Sequence, residues 1–194
     1  MAVGEAIRRI GQRGVQDVVE GFCSVTVVFK PLETDLAELL RVLQREAEVQ
    51  KGAIAGGREV TLPVCYGGCF GPDLGAVASF GSCSEQEVIR THSASIYRVY
   101  MLGFMPGFAY MATVDTRIAI PRRVEPRVRV PAGSVGIACM QTGLYPLEAP
   151  GGWQRIGRCP SKLFDLEKPT PCLLRVGDSV RFSAITEEEY LQFG

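Results

Sequence analysis

The chain has 194 residues, 46% of them hydrophobic and 22% charged, enough to bury a sizeable core as one domain or two small ones. Twenty-one basic residues balance twenty-one acidic ones, so no global field attracts nucleic acid or an anionic membrane surface. No apolar run approaches the roughly eighteen residues of a membrane span, and the N-terminus, MAVGEAIRRIGQRG, lacks a signal-peptide core.

Val3, Ala6, Ile7 and Ile10 recur at helical spacing, which predicts an amphipathic helix over residues 2–12 ended by Gly14. The β-branched run VVEGFCSVTVVF predicts two short strands, or one bulged strand, around Gly21. Thr34 is placed to cap a helix carrying Leu36, Leu39, Leu40 and Leu43 on one face. The glycines of GAIAGG, residues 52–57, predict a linker, with a second domain from Arg58. That domain opens with the strand REVTLPVCY and a short helix in GPDLGAVASF, and Ser84 with Glu87 offers a capping box for a helix to about Thr91. From Tyr97 onward, short strands separated by glycine and proline predict a closed or nearly closed β-barrel. Gly177-Asp178 suits a hairpin turn, and Thr186 to Glu189 caps a short last helix.

Residues 97–158 hold the densest chemistry. Five of the sixteen aromatic residues lie between Tyr97 and Tyr110, and five arginines with one glutamate lie between Arg117 and Pro131. An apolar surface beside a cationic strip suits an anionic organic ligand. Arg127 and Arg129, one residue apart between Pro126 and Pro131, would share a face of an extended strand and could clamp a carboxylate or phosphate. The alternative is a solvated outer face. Arg122 and Arg123 extend the strip.

Around the Pro-Gly turn of GFMPGFAY, Phe104, Gly107, Phe108 and Tyr110 offer a pocket wall, with Phe104 the ring better suited to the core because it ends an alternating strand. AGSVG lacks the first glycine of a nucleophile elbow, although backbone amides at Gly133 and Ser134 could bind an anion. His92, the single histidine, is a general base or a capping and packing residue. Trp153, after two glycines, is expected at a subunit contact or at the pocket mouth rather than in a strand core. Seven scattered cysteines read as free thiols of a reducing compartment, which predicts a cytoplasmic protein. Cys65, Cys69, Cys83 and His92 lack the paired CxxC of a zinc knuckle, so no metal site is expected. Neither GxxxxGK[ST] nor GxGxxG occurs.

PVCYGGCFGPDL (63–74), His92 with YRVYMLGFMPGFAYMATVD (97–115), PRRVEPRVRVPAGSVGIA (121–138), QTGLYPLEAPGGWQRIGR (141–158) and GDSVRF (177–182) together resemble the 5-oxoprolinase B-subunit family, also described as the Kip-type kinase inhibitor or allophanate hydrolase subunit 1 family. The resemblance implies an α+β protein: a small ferredoxin-like α/β domain over 1–57, then a cyclophilin-like β-barrel over 58–194. Members usually open with a strand ahead of the first helix, and this sequence opens at the helix. Cys159 stands where the family commonly has threonine, and Cys69 where it has a polar residue, which counts against a shared zinc site.

The implied activity is ATP-dependent opening of 5-oxo-L-proline to L-glutamate, as one subunit working with the sister C and A subunits of the same complex. The ATP site is shared with a partner or lies on it, and the isolated chain is expected to be inactive. Alternatives within the family are the carboxyltransferase part of a urea carboxylase and a histidine kinase inhibitor, and one fold does not choose among them. For the lactam reaction, Arg127 and Arg129 would do the anion work, and Phe108 and Tyr145 would wall the ring. Gln141 would hydrogen-bond the lactam, and His92 would serve as base or orienting group.

Overall fold

The computed structural model describes residues 2–49 and 56–193. The chain divides into two compact units, Met1–Gly56 and Gly57–Gly194. Residues 52–55 of the expected linker lie outside the described residues.

In the first unit, α1 (Ala2–Ile10) and α2 (Leu36–Val49) accompany a hairpin of β1 (Val15–Glu20) and β2 (Val25–Phe29). The hairpin is closed by a hydrogen bond from Gly21 N to Ser24 O at 2.8 Å. Ile7, Val18 and Leu39 are each at most 3% exposed and form its small core. The cap of α2 falls one residue later than the sequence suggests: the Asp35 carboxylate accepts from Glu38 N at 3.1 Å, while the Thr34 hydroxyl turns back to Arg13 O. Among the described residues the unit has two strands, fewer than the β-α-β-β-α-β order of a ferredoxin-like layout.

The second unit is built on β3 (Glu59–Tyr66), β4 (Ile96–Leu102), β5 (Ala109–Ala112), β7 (Ser134–Ala138), β8 (Gln141–Leu144), β10 (Gln154–Arg158) and β11 (Ser179–Ile185). These seven close into a barrel in the order β10-β3-β11-β4-β5-β8-β7. Every pairing is antiparallel except β3 with β11. Closure leaves the barrel no open edge to protect. Val64, Tyr97, Val99, Met111, Val135, Ile156 and Val180 fill the interior and are wholly buried. α3 (Leu74–Phe80) and α4 (Glu85–Ala94) pack on this core through Leu74, Val77 and Val88. α4 starts at the Ser84–Glu87 capping box, and a second box, Thr186–Glu189, starts α5 (Glu187–Leu191). The remaining strands, β6 (Arg127–Val130) and β9 (Ala149–Gly151), form a separate two-stranded ribbon.

The Gly177-Asp178 turn does not make a hairpin. It leads into β11, which runs parallel to β3, and the Asp178 carboxylate is held by the Arg58 guanidinium and by Arg58 and Arg175 backbone N–H groups. Among the described residues no helix is long and apolar enough to cross a membrane.

Candidate functional site

Strand alternation sorts β5, β7 and β8 into two faces. Ala109, Met111, Val135, Ile137 and Leu144 point into the barrel core. Their neighbours Phe108, Tyr110, Gly136, Ala138, Gly143 and Tyr145 take the outer face, and Phe108, Ala138 and Tyr145 join Val130 and Trp153 in a second apolar cluster. Gly136 and Gly143 pair across β7 and β8 and make a flat shelf for the rings. A Cβ on Gly143 would stand 3.0 Å from Trp153 Cζ3 and 3.1 Å from Phe108 Cζ, so a side chain there would displace the aromatic cluster. The ring centroids lie 5.1 Å apart for Phe108 and Tyr145 and 5.5 Å for Phe108 and Trp153, both edge-to-face.

Between this shelf and the ribbon of β6 and β9 lies a cavity of about 260 Å³ lined by Phe104, Phe108, Tyr110, Tyr145 and Trp153, with Arg122, Pro126 and the Pro150–Gly152 turn completing its rim. It is on the outer wall of the barrel, not in its lumen. Phe104 reverses its expected placement: it is 61% exposed at the rim with φ of 69°, while Phe108 is 1% exposed. A left-handed backbone at a bulky residue costs about 1–2 kcal/mol and here turns the ring outward. Its centroid remains 5.6 Å from that of Phe108. Gly107, with φ of 82°, turns the chain between them and packs on Phe164 and Pro146, behind the pocket. Trp153, expected at a subunit contact or the pocket mouth and not in a core, is instead 4% exposed, a buried member of the second apolar cluster whose ring also lines the pocket.

The Tyr145 hydroxyl accepts a hydrogen bond from the Trp153 backbone, and burial holds its pKa above the usual tyrosine value. The Tyr110 hydroxyl is raised by burial too, with the nearby Arg122 charge opposing the shift. Both stay protonated at neutral pH and are donors.

The arginine strip is arranged differently from the expected clamp. Arg127 holds the buried Asp73 bidentately, Nη1 to Oδ2 and Nη2 to Oδ1, both at 2.7 Å. Arg123 Nη1 and the Arg155 backbone N–H complete the same carboxylate at 3.2 and 2.7 Å. Arg129 instead pairs with Glu148 through Nε to Oε1 at 2.8 Å, in solvent. The register of β6 shifts between Arg127 and Val130, and neither arginine lines the pocket. The two guanidinium groups are therefore already neutralised on separate carboxylates and do not form a shared anion clamp. Asp73, which lies in the GPDL segment and is not among the site residues expected from the sequence, ties the loop before β6 to the start of α3 and to β10. Its partners lie 50 to 82 residues away, beyond any spacing rule.

His92 lies inside the barrel, wholly buried and stacked on Phe182 at 4.7 Å between centroids. Thr142 Oγ1 donates to Gly136 O, so it accepts from His92 Nε2–H at 2.9 Å, which leaves Nδ1 to accept from Tyr66 Oη at 2.8 Å. Burial pushes the His92 pKa down to about 3. It is a neutral core histidine on the far side of the sheet from the pocket, a geometry that gives a general base no substrate to reach. Gln141 begins β8 opposite Ala138, four residues before Tyr145, and does not line the pocket. Ser134 is fully buried on β7, and its Oγ has no partner among the described residues. It is attached to the pocket through its carbonyl, which accepts from Tyr145 N at 2.9 Å. Among the described residues no group of three or more His, Cys, Asp or Glu side chains converges on a metal site.

The second unit is thus a closed barrel that carries an aromatic pocket on its outer wall. Residues 1–174 match the family model described as carboxyltransferase domain, subdomain C and D. The chain is 44% identical over 188 residues to the B subunit of 5-oxoprolinase from Bacillus subtilis, covering 91% of this chain and 78% of that one. It is 43% identical over 187 residues to the B subunit of 5-oxoprolinase from Escherichia coli O157:H7, covering 94% and 86%. Among solved structures it resembles TTHA0988 with a TM-score of 0.74 and 38% identity over 95% of this chain, and it spans about a third, 35%, of that longer chain. The chain belongs to the 5-oxoprolinase B-subunit family.

Proposed function

We propose that this chain is one subunit of a cytoplasmic ATP-dependent complex, with sister C and A subunits, that opens 5-oxo-L-proline to L-glutamate, and that the outer-wall pocket holds the lactam. The observation that carries the reading is the 43–44% identity, over most of both chains, to relatives named as the B subunit of 5-oxoprolinase. The pocket supports it independently: about 260 Å³ walled by aromatic faces suits a small flat ring and is below the usual range of drug-sized sites. Arg123, Arg127 and Arg129 each hold a carboxylate and so are not arranged to cradle phosphates. In this reading the ATP site is shared with a partner subunit or lies on it.

An unstrained lactam resists attack until charge on its carbonyl oxygen is stabilised. In this reading the rings of Phe104, Phe108 and Trp153 exclude water and fix the plane of the lactam. Tyr110 and Tyr145 are the hydroxyl donors that face its carbonyl. Co-expression with the neighbouring family genes is expected to give ADP release that depends on 5-oxoproline, while the chain alone gives none. Turnover by the isolated chain at the rate of the complex, or no such activity from the complex, would contradict the assignment.

A further inference from the structure

Four arginines form the strip beside the pocket, and three of them have carboxylate partners. Arg123 and Arg127 share Asp73, and Arg129 holds Glu148. Arg122 has no carboxylate partner among the described residues, and it alone of the four lines the pocket. Its guanidinium carbon stands 5.8 Å from the centroid of the Trp153 ring, within cation–π range, so the ring gives an exposed side chain a seat at the rim. Its charge also acts on the hydroxyls of Tyr110 and Tyr145. A guanidinium without a carboxylate partner, held over the Trp153 ring at the rim of a largely aromatic cavity, keeps N–H donors available for a ligand.

We propose that Arg122 is the anion anchor of this pocket, by which it selects a ring bearing a carboxylate over the same ring without one. The inference rests on the reading of the pocket as the lactam site. A carboxylate on the carbon next to the ring nitrogen would meet the guanidinium at the rim while the ring lies among the aromatics. Arg122 would then act on binding and leave the chemical step to other groups. Asp73 supports this arrangement by fixing Arg123, the next residue, to the start of α3.

Trp153, the only tryptophan of the chain, lies under Arg122 and reports occupancy directly. The full chain is titrated with 5-oxoproline and with 2-pyrrolidinone, the same lactam lacking its carboxylate, while Trp153 fluorescence is followed. The wild type should respond saturably to both, with 5-oxoproline bound about tenfold more tightly or better, as a charge-assisted contact gives. Arg122→Gln should bind the two lactams alike, at the affinity of the neutral one, and Arg122→Lys should recover part of the preference. In the assembled complex, Arg122→Gln should raise KM for 5-oxoproline with little change in kcat. If Arg122→Gln keeps the wild-type preference for 5-oxoproline, Arg122 is not the anchor although the pocket stands. If the wild type responds to neither lactam, the pocket reading fails and the anchor fails with it.

Discussion

Replacing Asp73 with alanine is expected to cost the second unit about 3–5 kcal/mol, the penalty for removing one partner of a buried ion pair. The carboxylate side chain is 6% exposed and that of Arg127 22%, so the charges left behind are largely out of water. Against a typical total of about 5–15 kcal/mol, such a loss brings the fold close to its limit. The same reasoning predicts that Arg129→Ala changes stability by less than about 1 kcal/mol, since Arg129 and Glu148 are 76% and 48% exposed and water already solvates both. Adding Arg127→Leu to Asp73→Ala should recover part of the loss, because it removes the fork left without a carboxylate. Urea midpoints at constant slope check all three. Equal midpoints for Asp73→Ala and Arg129→Ala would mean that the buried network does not hold the loop.

His92 gives the second large effect, read through pH. Its pKa in the folded protein is about 3, set by burial, whereas an unfolded histidine titrates near 6.5. Its contribution to stability is therefore complete above about pH 6.5 and declines as pH falls from there towards 3, because the unfolded chain takes up a proton that the folded chain refuses. Each pH unit costs roughly 1 kcal/mol, so about 2 kcal/mol should be lost between pH 7 and pH 5. His92 is the sole histidine, and carboxylates titrate mostly below this window, so the slope between pH 7 and 5 belongs to it. His92→Gln should flatten the slope whatever it does to stability at pH 7. A wild-type unfolding free energy unchanged between pH 7 and 5 would show that the imidazole gains water or a partner on protonation.

Much of the fold is legible in the sequence because its signals are local. Two capping boxes, at Ser84 and Thr186, lie where the three-residue spacing puts them. The glycine and aromatic punctuation around Phe108 and Trp153 marks the pocket, since glycine pairs such as Gly136 and Gly143 leave room for rings. What the chain does not announce is non-local. Alternation along β5, β7 and β8 separates two faces without saying which is the lumen, so the sequence groups Gln141 and His92 with a pocket that neither lines, His92 being on the opposite side of the sheet. The two-residue spacing of Arg127 and Arg129 implies a shared face, and a register shift in β6 with carboxylates at Asp73 and Glu148 undoes it. Arg122 stands out only once those partners are placed.

The pocket as lactam site is tested most directly at Phe104, because this ring is 61% exposed and its loss should leave the fold intact. In the co-expressed complex, Phe104→Ala is expected to lower kcat/KM for 5-oxoproline about tenfold, the order given by removing one aromatic contact from a bound ring, with the urea midpoint of the chain unchanged. An unaltered kcat/KM in a complex that assembles normally would place the lactam elsewhere.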